Sequence, residues 1–133
     1  MSAAGKPLRS DLARARGLGS AKEGVQHWWS QRLTALALIP LGLWFVAELI
    51  AHLGLDQAAA AAWLRRPVVL GPTALLIVAL FHHAQLGLQV VIEDYVGHGA
   101  ARLAALILVK AAAIALATAA LVALLTIAIG GGG

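Results

Sequence analysis

Three long apolar stretches decide most of what this chain can fold into. They cover residues 33–55, 68–92 and 103–129, and each is long enough for the roughly 20 residues that a helix needs to cross the hydrocarbon core of a bilayer. The sequence therefore predicts an all-α integral membrane protein with three transmembrane helices. Composition agrees, because only 12% of residues are charged against about 25% in an ordinary soluble domain. At 133 residues, these spans leave no room for a soluble catalytic domain. There is no cysteine, so the chain alone holds no disulfide, iron–sulfur cluster or thiolate zinc site.

The formal charge of +4 is concentrated at one end. Lys6, Arg9, Arg14, Arg16, Lys22 and Arg32 face only Asp11 and Glu23 there, and the remaining charges cancel. The excess reads as membrane topology rather than nucleic-acid binding, since the apolar remainder offers no basic face. By the positive-inside rule the amino terminus is cytoplasmic, or in the matrix if the protein is mitochondrial. Residues 1–24 read as a flexible basic tail and residues 25–133 as the three-helix domain. An Arg-rich start also fits a mitochondrial presequence, against which Asp11 and Glu23 count; a bacterial inner membrane is the expected location.

Trp28 and Trp29 precede the first span as interfacial anchors. Pro40 near its middle removes one backbone hydrogen bond and predicts a modest kink. Pro67 suits the first turn of the second helix, unless Gly71 and Pro72 delay its regular part by a turn. The link over residues 56–66 reads as a short surface helix with Trp63 dipping into the interface. The link over residues 93–102 is short, so the second and third helices are antiparallel neighbours. Lys110 is expected to snorkel back to the cytoplasmic side. Glu48 receives no role.

The chemistry concentrates in the second span. His82 and His83 lie near its middle, and an ionisable residue in a membrane helix marks a functional site by default. Asp94 follows His83 by eleven residues, which is three turns plus about 20°, so the two face nearly the same way about 16 Å apart. Gly87 lies one turn along that face. An imidazole, a gap without a side chain and an acid at the helix end suit a flat cofactor held edge-on by the imidazole. A neutral imidazole is an axial ligand for haem iron; an interhelical hydrogen bond is the other use of such a residue. The phase of Gly87 and Asp94 favours His83 over His82. His27, His52 and His98 do not lie at matching depth in another helix, so a haem with two histidine ligands needs a second subunit.

At the cytoplasmic end, Arg32 either pairs with a carboxylate such as a haem propionate or anchors the helix by snorkelling. His27, Ser30 and Gln31 stand nearby. Asp94 and Tyr95 form an acid–phenol pair suited to donating a hydrogen bond to a quinone carbonyl and relaying protons. As ordinary surface residues they are a solvated acid and an aromatic-belt side chain.

Two stretches together resemble a known family. His27-Trp28-Trp29-Ser30-Gln31-Arg32 resembles the start of the first helix in the small hydrophobic anchor subunit of succinate dehydrogenase, respiratory complex II. His83, Gly87, Gln89, Asp94 and Tyr95 resemble its second helix. The resemblance implies a cytochrome b-type anchor that holds one haem b jointly with a second three-helix anchor subunit, each giving one histidine. It implies docking to an iron–sulfur subunit and a flavoprotein subunit, which carry the clusters and FAD, and delivery of electrons to ubiquinone. On it, His83 is the haem ligand, Arg32 and His27 meet the propionates, Gly87 packs on the haem, and Tyr95 with Asp94 serves the quinone. The paired histidines and Glu93 depart from the pattern. A fumarate reductase anchor, with the opposite direction of electron flow, and a haemless structural three-helix subunit are the competing readings.

Overall fold

The computed structural model describes residues 22–130 and, before them, Leu12, Ala15 and Gly17. The basic tail expected over residues 1–24 thus lies almost wholly outside the described residues. All regular structure among the described residues is helical: α1 (Lys22–Ala51), α2 (Gln57–Leu64), α3 (Pro67–Tyr95) and α4 (Gly99–Ile129). The three long helices hold 30, 29 and 31 residues. At 1.5 Å per residue each is about 45 Å long, against about 30 Å of hydrocarbon. The protein is a multi-pass membrane protein whose helices overrun the apolar stretches that mark them.

That overrun corrects the helix limits read from hydropathy. α1 begins eleven residues before residue 33 and carries Trp28, Trp29 and Arg32 within it, but at its other end it stops at Ala51, short of the expected limit at residue 55. α3 includes Asp94 and Tyr95 in its last turn. Apolar content stops where hydrocarbon stops, but backbone hydrogen bonding continues into the interface. Gly71 and Pro72 do not delay α3: the amides of Val69 and Leu70 both bond the Arg66 carbonyl at 2.8 Å, so the helix is formed from Pro67 onward. α1 likewise continues through Pro40.

α3 packs against both α1 and α4, whose backbones do not approach one another. The long helices therefore stand in a row with α3 in the centre, and the chain has little interior of its own. Among the described residues only Trp63, Val69, Thr73, Ala79, Leu86 and Leu124 are buried. Two broad apolar faces remain for lipid or for other chains.

Between α1 and α2 the backbone reverses at Gly54, which adopts φ +87°, a conformation costly for any residue with a Cβ. Asp56 then caps α2, its Oδ1 accepting from the Ala59 amide at 2.8 Å. Trp63 does not dip into the interface. It turns inward with 8% of its surface exposed, donates from Nε1 to Glu48 Oε2 at 3.0 Å, and stacks on the His52 ring at 4.8 Å. Glu48 and Trp63 thus satisfy one another beside the apolar slab. Arg65 donates to the Ile127 carbonyl at 2.8 Å, in the last turn of α4. These contacts fasten α2 across the ends of α1 and α4.

Candidate functional site

α1 and α3 are antiparallel, and two contacts set their register. Thr34 Oγ1 lies 3.0 Å from His83 Nδ1, and a Cβ on Gly87 would stand 3.9 Å from Gln31 Nε2. His83 is two residues past the midpoint of α3 and faces Thr34 close to the middle of α1. The imidazole therefore lies inside the membrane span, at the level where the apolar stretch of α1 begins, and an unpaired polar group there is costly. Its Nδ1 is paired; its Nε2 makes no hydrogen bond among the described residues.

An open crevice of about 340 Å³ runs along this seam, lined by Gln31, Arg32, Ala35, Leu36, Ile39 and His83. Its walls are apolar apart from the imidazole, the amide of Gln31 and the guanidinium of Arg32. Arg32 stands about 3 Å along the axis from the level of Thr34, toward the end of the molecule that also carries Asp94. Its guanidinium stacks on the Trp28 ring, 4.6 Å from the centroid. Stacking fixes the plane of the guanidinium and leaves its edge N–H groups free to meet an anion.

His27 lies two turns beyond Thr34 toward the same end, about 10 Å along the axis. It is half-buried, and its Nε2 is enclosed without a hydrogen-bond partner among the described residues. Such orphaned buried atoms are uncommon and ask for a partner beyond those residues. Gly87 faces Gln31 at ordinary van der Waals distance, so the space beside the glycine is shared with that amide.

The structure thus brings His83, Gly87 and Arg32 to one seam, with His27 farther along α1. It does not bring Asp94 or Tyr95 to the crevice. Both are exposed in the last turn of α3, Tyr95 to 86%, about 16 Å from His83 along the axis. His82 points elsewhere: it lines a separate hollow between α3 and α4 with Val78, Phe81, Gln85, Ala113, Ile114 and Ala117.

Two features escaped the reading of the sequence. Thr34 is one; no periodic signal marks a single threonine in an apolar run, and its importance depends on the rotation of α1 about its axis. The other is a polar ladder on α3, where Gln85 Nε2 donates to Gln89 Oε1 at 3.4 Å and Gln89 Nε2 to Glu93 Oε1 at 2.9 Å. Its spacing of four was visible in the sequence. Lys110 borders this ladder from α4 with Gln85 and Gln89.

Comparison with known proteins gives a consistent picture. The succinate dehydrogenase/fumarate reductase transmembrane subunit family matches residues 6–127. The chain is 37% identical over 103 residues to the succinate dehydrogenase hydrophobic membrane anchor subunit of Rickettsia bellii, covering 77% of this chain and 82% of the relative. It is 38% identical over 93 residues to the protein of the same description from Paracoccus denitrificans, covering 70% and 71%. A succinate dehydrogenase membrane anchor subunit of Reclinomonas americana is 28% identical over 93 residues, 67% of this chain and 77% of the relative. No solved structure matches the chain.

Proposed function

Because the chain belongs to the succinate dehydrogenase/fumarate reductase transmembrane subunit family, we propose that it anchors succinate dehydrogenase and forms one wall of a haem b site and part of a ubiquinone site. The observation that carries this reading is the α1–α3 seam. It offers one imidazole inside the span whose Nε2 is unengaged among the described residues, and a guanidinium displaced toward the end where α3 finishes.

The residues present fit a haem. The seam offers a single imidazole toward iron, and among the described residues no three His, Asp or Glu side chains converge on a metal position. The crevice is open on one side, which suits a cofactor shared between two chains. His83 would hold the iron from this chain, with a histidine of a second three-helix anchor subunit as its counterpart. Arg32 and the unpartnered Nε2 of His27 supply donors for the propionates. Gly87 leaves room along the imidazole face. When bound, the haem supplies a one-electron carrier of tunable potential.

Quinone reduction takes two electrons and two protons, so its pocket belongs near water. Tyr95 and Asp94 at the end of α3 meet that requirement, the phenol donating to a quinone carbonyl and the carboxylate passing protons on. Their exposure fits a site completed by the iron–sulfur subunit, which with the flavoprotein subunit carries succinate oxidation. By the positive-inside rule the basic amino-terminal residues favour a cytoplasmic position for this end, and the Rickettsia and Paracoccus relatives support a bacterial inner membrane. The family includes fumarate reductases, and flux in that direction uses the same wall and the same donors.

Replacing Tyr95→Phe in the assembled complex removes the phenolic donor alone. The proposal expects succinate:ubiquinone activity to fall at least tenfold, while succinate oxidation with a water-soluble artificial acceptor stays within twofold of wild type. Unchanged ubiquinone turnover would take Tyr95 out of the site.

A further inference from the structure

We propose that Thr34 is a positioning residue that sets the tautomer of His83 and so aims a lone pair at the iron. The inference rests on the reading of His83 as axial ligand. It starts from one hydrogen. The Thr34 hydroxyl has a single proton, and three acceptors compete for it: the Ser30 carbonyl at 2.8 Å, the Gln31 carbonyl at 3.1 Å, and His83 Nδ1 at 3.0 Å. Carbonyl oxygens only accept, whereas an imidazole nitrogen can donate or accept according to its tautomer. All contacts are satisfied together in one way. The hydroxyl proton goes back to the preceding turn of α1, and the hydroxyl oxygen accepts from an N–H at His83 Nδ1. The neutral ring then carries its lone pair on Nε2, the form that binds metal.

The alternative gives up one of these contacts. If the hydroxyl donated to Nδ1, it would give up its backbone bond and the ring proton would sit on Nε2, which then could not ligate. The threonine also suits this task sterically. Its hydroxyl reaches carbonyls one turn back when χ1 takes one of the two rotamers open to a helical threonine, so the acceptor is fixed before a ligand arrives. A hydrogen bond to the non-ligating nitrogen also makes the imidazole a stronger donor to iron, which favours the ferric state and lowers the potential. Without it, Nδ1 has no other partner among the described residues, and the ring loses both its tautomer preference and its rotational stop.

The test compares Thr34→Val, Thr34→Ser and His83→Ala in the detergent-solubilised complex, with haem expressed per flavin. Valine keeps the β-branched shape and removes the acceptor; serine restores it. Outer-shell partners of this kind change ligand affinity by about 10- to 100-fold. Thr34→Val is therefore expected to retain haem at least tenfold more weakly in a competition with apomyoglobin, and its remaining haem to show a more positive midpoint potential and altered low-spin electron paramagnetic resonance g-values. Thr34→Ser is expected to match wild type in all three. Haem loss in His83→Ala with wild-type retention, potential and g-values in Thr34→Val would overturn the role of Thr34. Undiminished haem in His83→Ala would overturn the ligand reading itself.

Discussion

The contact between Trp63 and Glu48 makes a prediction that can be worked through in numbers. α2 has only eight residues, and a helix that short is not stable in water by itself. Its order depends on the indole, which is buried, hydrogen-bonded to Glu48 at 3.0 Å and stacked on His52 at 4.8 Å. Trp63→Phe keeps an aromatic ring for the stack and removes the N–H. A hydrogen bond to a charged group contributes about 1.5–3 kcal/mol. Glu48 is 31% exposed, so water recovers part of that and about 1 kcal/mol is expected to be lost. Trp63→Ala removes the ring as well, at about 3–5 kcal/mol. Hydrogen exchange of the α2 amides, followed by mass spectrometry on the solubilised complex, reads these values directly. Exchange should speed up roughly fivefold in Trp63→Phe and a hundredfold or more in Trp63→Ala, since about 1.4 kcal/mol is a factor of ten. Equal protection in wild type and Trp63→Phe would show that the indole–carboxylate bond does not hold α2. Equal loss in both variants would place the whole effect on that bond and none on burial of the ring.

Two further outcomes follow from individual contacts. Gly87→Ala should assemble with normal haem content, because the added methyl meets Gln31 Nε2 only at 3.9 Å, whereas Gly87→Leu should fill the seam and lower haem per flavin at least fivefold; optical haem quantitation checks both. Arg65→Ala removes the donor to Ile127 and should cost about 1 kcal/mol, read as severalfold faster exchange in the last turn of α4 with haem content unchanged.

Much of this arrangement was legible in the sequence because a bilayer simplifies the problem. Length and apolarity alone locate three spans, and Pro67 marks the start of α3. A fixed 100° per residue separates His82 from His83, and the structure indeed sends them to different helix pairs, α3–α4 and α1–α3. The parts that were not legible depend on how helices are rotated against one another. Thr34 becomes notable only once α1 turns it toward His83. Trp63 reads as an interfacial tryptophan until the chain folds back over fifteen residues and brings its indole to Glu48. His27 reads as one of several polar residues ahead of a span, and only its enclosed, unpartnered Nε2 sets it apart. The helix ends were misplaced for a related reason, since hydropathy reports the solvent around a helix and not the hydrogen bonds inside it. The flat row of three helices, with so few buried residues, also explains why the site looks incomplete. Three helices in a row leave the α1–α3 crevice open on one side, and on the proposed function a further chain would close it.

On the proposed function His83, and not its neighbour, holds haem iron at the α1–α3 seam. The most direct test is the dithionite-reduced minus oxidised optical spectrum of the complex that copurifies with this chain in mild detergent, taken for wild type, His82→Ala and His83→Ala at equal flavin content. A b-type signal in wild type that persists in His82→Ala and disappears in His83→Ala is the predicted result. A wild-type complex that contains its flavoprotein and iron–sulfur partners but shows no haem band, or equal haem in the two histidine variants, would contradict it.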